Sequence, residues 1–157
     1  MNAKIKLFDE TEACTVYSIQ FAANDKMEFE KFMEKFMDDL NYRDDYNIII
    51  ATIAKIFKLG SKERYFRPEG KFRDRVFALP IDKACLRLYC IRLSDSILIV
   101  GNGGKKDTAT YQENNELRGY VLTLQKLDAL IKHCEISGNI KVTHEKIEDI
   151  ENINFEL

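Results

Sequence analysis

The sequence predicts an α+β domain: a twisted antiparallel sheet of four to six strands, backed on one face by a helical hairpin and a further C-terminal helix. Three observations lead there. Three stretches repeat apolar residues at helical spacing, and several short runs carry β-branched and aromatic residues between turn signals. Their order is β-hairpin, two helices, three-strand meander, helix, with runs of strands and helices kept apart rather than alternating. No Pro/Gly-rich linker and no internal repeat divides the 157 residues, so residues 1–157 read as one domain.

Residues 3–7 and 15–22 form two short strands around a polar turn at 9–12. Asn24-Asp25 supplies capping residues for a first helix, whose apolar face is Phe29, Phe32, Met33, Phe36, Met37 and Leu40. A polar break at 41–45 precedes a second helix over 45–59. Tyr46, Ile49, Ile50, Ile53, Ile56 and Phe57 point inward along it, and Gly60 stops it. The pair reads as a helical hairpin.

The meander comprises 75–79, ended by Pro80, then 86–93 and 96–101, the last two joined by a tight turn at Ser94-Asp95. Ile97-Leu98-Ile99-Val100 is apolar on both faces, as a central strand requires. The loop NGGKKDTA follows, and Thr110 with Glu113 has the spacing of a capping box for a third helix. Leu117, Tyr120, Val121, Leu124, Leu127 and Ile131 form its apolar face, and Gly138 follows its end. A strand at 140–142 is expected before an acidic tail that frays.

Charge is distributed unevenly. Residues 62–106 hold eleven Lys or Arg against five acids, a net of +6, whereas the whole chain is −2. Arg and Lys alternate there with apolar residues, which predicts a cationic sheet face left uncovered by the helices. Two readings stand: a site for phosphate-rich ligands, with RNA first, or a solvated sheet face. The tail from 144 to 157 carries five acids against one Lys, enough to fold over that face, or over a second copy's, as a restraint; the alternative is a disordered tail. No apolar run reaches the length of a membrane span and no signal-peptide pattern opens the chain, so a cytoplasmic protein is expected. The four cysteines lack metal spacing, Cys90 and Cys134 fall on apolar faces, and His133 and His144 have no neighbouring ligands. Buried thiols are therefore expected rather than a zinc or histidine site.

From residue 45 to about 128 the chain resembles the RelE/HigB-type bacterial toxins, most nearly a phage branch of that superfamily. Leu86-Arg87-Leu88-Tyr89 is similar to the family's central strand, residues 97–101 to its following apolar strand, and Gly104-Lys105-Lys106-Asp107 with Thr110-Tyr111 to its glycine–basic turn and Tyr. The resemblance implies a RelE-like sheet that cradles mRNA on the ribosome and cleaves it, a metal-independent endoribonuclease (mRNA interferase) needing no cofactor. Cationic side chains would stabilise the phosphorane and assist the leaving group. Carried over by position, Arg87 stabilises the phosphate, Arg73 and Arg75 match the preceding strand's cations, Lys105 and Lys106 the loop cations, and Tyr111 a stacking or proton-transferring aromatic. Arg64, Arg67, Lys71 and Arg92 are expected to bind RNA.

The implied partners are mRNA, the ribosome and a cognate antitoxin of helix-turn-helix type. A non-catalytic binding module on the same fold, for protein or nucleic acid, and a ParE-like gyrase inhibitor stand as alternatives. Structural roles remain open too: Arg87 paired with Asp82 or another acid, Tyr111 packed under the third helix, and Arg73 and Arg75 in surface ion pairs worth ~0–1 kcal/mol. Residues 1–44, with their β-hairpin, and 135–157 extend beyond the family's compact fold, and the net charge of −2 departs from its strongly basic members.

Overall fold

A computed structural model describes residues 1–70, 73–106 and 114–157. The chain is α+β, with a mostly antiparallel sheet and three α-helices among the described residues. In chain order the elements are β1 (Asn2–Glu10), β2 (Thr15–Phe21), α1 (Glu28–Phe36), α2 (Arg43–Leu59), β3 (Arg67–Pro68), β4 (Val76–Leu79), β5 (Leu86–Ser94), β6 (Ile97–Lys105), α3 (Asn115–Ser137), β7 (Lys141–Val142), β8 (Ile147–Glu148) and β9 (Phe155–Glu156). The main sheet runs β3-β4-β5-β6-β2-β1-β9, seven strands rather than four to six, and β7 pairs with β8 apart from it. Neighbours are antiparallel except β2 and β6, which run parallel from Thr15↔Ile97 to Ser18↔Val100.

Helices cover both faces, not one. Along β5 and β6, Leu86, Leu88, Cys90, Leu98 and Val100 pack with Phe29, Phe32 and Phe36 of α1 and Ile49, Ile53 and Ile56 of α2. The alternate residues Tyr89, Ile91, Ile97 and Ile99 pack with Leu117, Val121, Leu124, Leu127 and Ile131 of α3. The cause lies in the strand sequences: residues 97–100 and 86–91 are apolar at every position or nearly so, and a strand dry on both sides needs a cover on both. No helix among the described residues is long and apolar enough to cross a membrane.

Three further expectations change. The tail does not fray. Ile140, Ile147, Ile150 and Phe155 are buried in the α3-side cluster, and β9 pairs with the start of β1. It therefore occupies the edge of the sheet opposite β3 and β4 and does not lie over the chain's own basic segment. Residues 102–105 of the expected glycine–basic loop are instead the second half of β6, paired with β5 as far as Leu86↔Lys105, and its residues 107–109 lie outside the described residues. Gly103 is required there, because a Cβ would overlap the Arg87 carbonyl oxygen. Finally, α3 is capped by Asn114, whose side chain accepts from the Leu117 N–H at 3.1 Å; the expected capping box at 110–113 lies outside the described residues.

Docking of the tail is measurable. Phe155→Ala should lower folding stability by about 3 kcal/mol, the order expected for a buried Phe, read as a shifted urea midpoint. An unchanged midpoint would mean that the tail contributes nothing to the core.

Candidate functional site

The basic residues singled out in the sequence divide into three places. Arg75, at the entry to β4, donates from Nε to Asp128 Oδ1 of α3 at 2.7 Å, and its backbone N–H reaches the other carboxylate oxygen at 3.3 Å. Lys132, one turn further along α3, approaches that oxygen at 3.2 Å and donates to the Arg73 carbonyl at 3.1 Å. Asp128 is buried, so this is a tether of the β4 end to α3 rather than an open cationic surface. Arg73 itself is exposed with φ +84°, in the left-handed region.

A second group lies at the β5–β6 turn. Arg92 donates to the Ser61 carbonyl at 2.7 Å and to Asp95 at 2.5 Å, and Lys62 joins Asp95 at 3.1 Å. Hydrogen bonds from Lys62, then Arg92, hold the Asp95 carboxyl below its ordinary range even though it is largely exposed. Nearby in sequence, Arg64 stacks its guanidinium 5.0 Å from the Tyr65 ring.

The third group is a true cluster. Arg67 on β3 and Arg87 on β5 both turn toward a single carboxylate oxygen, Glu69 Oε1, at 3.6 and 3.9 Å from their Nε atoms. Lys106, just past β6, joins them. It is half-buried, and burial, then Arg87 and Arg67, push its ammonium below its usual range. Arg87 is fully buried, contrary to its expected place on an uncovered face, and its partner is Glu69, not Asp82. Its Nη1 donates weakly to the Leu86 carbonyl at 3.4 Å, whereas Nε and Nη2 make no hydrogen bond among the described residues. Loss of hydration, then Arg67, lower the Arg87 pKa. Glu69 moves the other way, because burial raises its carboxyl by more than Arg67, Lys106 and Arg87 lower it.

Local structure explains how these groups meet. Arg67 pairs with Ala78 and Ala78 with Tyr89, so Arg67, Tyr89 and, two residues on, Arg87 share the α3 side of the sheet. β4 stops at Leu79, before the cis Leu79-Pro80 bond, and leaves Arg87 paired only with Gly104 of β6. Asp45 of α2 fixes the start of β5 by accepting from the Cys85 and Leu86 N–H groups at 2.8 and 3.2 Å. The Lys106 N–H donates to the Cys85 carbonyl at 2.6 Å, and Lys105 stands 5.7 Å from the Tyr42 ring. Tyr111 and Lys71, both expected in the site, lie outside the described residues.

Sequence reasoning missed Glu69, Asp45 and Asp128 as partners. Asp128 had a signal: it falls on the buried stripe of the third helix, four residues after Leu124 and one after Leu127. Glu69 stood among the window's five acids with nothing local to mark it. No group of three or more His, Cys, Asp or Glu able to hold a metal ion occurs among the described residues. Comparison of the chain with protein-family models, with curated proteins and with solved structures finds no match.

Two outcomes test this arrangement. Arg75→Ala should cost about 2–3 kcal/mol, near the low end for a broken buried ion pair because Lys132 still faces Asp128; thermal melts read it, and a loss under 0.5 kcal/mol would make the tether superficial. Of the four free thiols only Cys85 is exposed, and burial drives the Cys90 thiol far above its ordinary value. Ellman's reagent should therefore titrate one thiol promptly in the native protein and four in denaturant. Prompt reaction of a second native thiol would contradict the packing of Cys14, Cys90 or Cys134.

Proposed function

We propose that this protein is a binding module for a phosphate-bearing partner, single-stranded RNA being the first candidate, and that it holds the ligand without cutting it. One observation carries the reading: Arg67 and Arg87 share one carboxylate, Lys106 is coupled to them electrostatically, and two guanidinium nitrogens of Arg87 are unbonded among the described residues. Burying an Arg beside a single carboxylate at 3.9 Å leaves its desolvation poorly compensated, and an incoming phosphate would complete the balance. Arg67 and Lys106 are the accessible members, and Arg87 reinforces the field from behind. Of the residues expected to form one catalytic set, Arg75 is committed to Asp128.

The cutting alternative, a toxin-like mRNA endoribonuclease, is favoured by one feature. A carboxyl with a raised pKa beside guanidinium groups is the kind of group that removes a proton from a 2′-hydroxyl. Glu69 would then be the base and Arg87 the phosphorane stabiliser.

Labelled single-stranded RNA discriminates the two. Fluorescence anisotropy should show saturable binding at low salt, and a gel should show intact RNA. Arg67→Ala with Lys106→Ala should weaken binding at least ten-fold and reduce the slope of log Kd against log salt by ~1.4, at ~0.7 per lost contact on a single strand. Glu69 adds a pH signature. Its folded carboxyl titrates above its unfolded value, so its protonation favours the fold: that stability is present below the unfolded pKa and lost as pH rises through the folded pKa. The same protonation removes the cluster's negative charge, so affinity should rise as pH falls through the folded pKa. Glu69→Gln should bind tighter and abolish that dependence. RNA cut by the wild type and spared by Glu69→Gln would install the nuclease reading; no saturable binding at low salt would end both.

A further inference from the structure

A second site lies on the other side of β6, away from the cationic cluster. Parallel pairing of β2 with β6 ends at Ser18↔Val100, whereas β6 continues to Lys105 with β5 alone beside it. Ser18 closes the seam: its Oγ donates to the Val100 carbonyl at 2.7 Å and accepts from the Phe29 N–H at 3.2 Å. Beyond that point the strands part, and a cleft of about 390 Å³ opens between β2, β6 and the first turns of α3. That volume lies within the range of small-molecule sites. Its walls are apolar, with Ile19 and Phe21 on β2, Gly101 on β6 and Leu124 on α3.

Two polar side chains sit at its base. Glu28 and Asn102 are each more than nine-tenths buried, and both line the cleft. Asn102 Oδ1 accepts from the Gly103 N–H at 2.7 Å. Glu28 Oε2 lies 2.8 Å from Lys31 Nζ yet makes no hydrogen bond among the described residues, and Oε1 has the Asn102 amide at 3.5 Å, too long for a strong hydrogen bond. At the mouth, the Tyr120 hydroxyl donates to Glu116 Oε1 at 2.9 Å. Burial and then Glu116 raise the Tyr120 pKa, keeping the phenol neutral. Lys35 approaches the same region from α1, but its three hydrogens are already directed at the Gly103 carbonyl, Glu116 and Tyr120, at 3.1, 3.2 and 3.4 Å. The nearby cations are thus committed, and Glu28 keeps acceptor capacity toward the cleft.

Gly119 is the second, independent observation. It lies inside α3, where Gly costs about 1 kcal/mol relative to Ala, and it lines the cleft. A Cβ at that position would meet nothing within 4 Å. Packing therefore does not demand the glycine, whereas a larger side chain would narrow the mouth.

We propose that this cleft is a binding site for a small aromatic amine, its ammonium on Glu28 and its ring between Ile19, Phe21 and Leu124. An ammonium is the head group that the Glu28 carboxylate answers. Amide NMR of the full chain, titrated with benzylamine, phenethylamine and tryptamine, tests this, with phenethyl alcohol and 3-phenylpropionate as matched neutral and acidic probes. At least one amine should give saturable shifts at Gly101, Asn102 and Thr123 and bind ten-fold or more tightly than its matched controls. Gly119→Leu should weaken that binding at least ten-fold with the rest of the spectrum unchanged, and Glu28→Gln should erase the preference for amine over alcohol. Saturation by none of the three amines, equal binding of the acid, or undiminished binding to Gly119→Leu would each overturn the proposal.

Discussion

The parallel seam between β2 and β6 is the constraint from which the rest follows. Four residue pairs hold it, from Thr15↔Ile97 to Ser18↔Val100, and all eight residues are buried. Strands so placed are dry on both faces, so one side must be closed by α1 and α2 and the other by α3 and the tail. Its termination matters as much as its existence. Where β2 leaves, β6 proceeds with one neighbour, and both the apolar cleft and the glycine-rich approach to Arg87 lie on that unaccompanied half.

How much of this was legible depends on the range of the interaction. Elements set by local pattern agree with the sequence: the helix over 43–59 stopped by Gly60, the helix face from Leu117 to Ile131, and the hairpin joining β5 and β6. The two-sided apolar pattern of residues 97–100 was also visible, and its full implication is helices on both sides. The docking of the first hairpin parallel to β6 was not legible, because strand order is decided by contacts about eighty residues apart that leave no local mark. The tail misled for a related reason. Its charge is conspicuous, yet Ile147, Ile150 and Phe155, spaced among the acids, carry its burial.

Charge was read correctly as a sum and incorrectly as a surface. The +6 window is real, but three of its cations are held by two acids: Asp128 from α3 for Arg75, and Asp95 of the same window for Arg92 and Lys62. Around Glu69 two arginines meet one carboxylate, with Lys106 coupled to them electrostatically. A strand-borne Arg next to apolar residues is therefore ambiguous in sequence. It becomes a surface charge or a buried one according to whether the next segment folds over it, and here β3 brings Arg67 and Glu69 to Arg87.

The two outer strands of the sheet have a consequence for self-association. β3 is two residues long and contains a proline, which has no N–H to offer; β9 is two residues long and carries Glu156 beside the chain's amino terminus. Long, flat, unpaired strand edges are what allow one sheet to recruit another, and both margins here are short and charged. At β3 and β9 a neighbouring molecule has almost no ladder to continue. Partnership between copies of this chain through β3 or β9 is therefore disfavoured, which leaves side-chain surfaces, open to substitution without disturbing these strands, as the alternative.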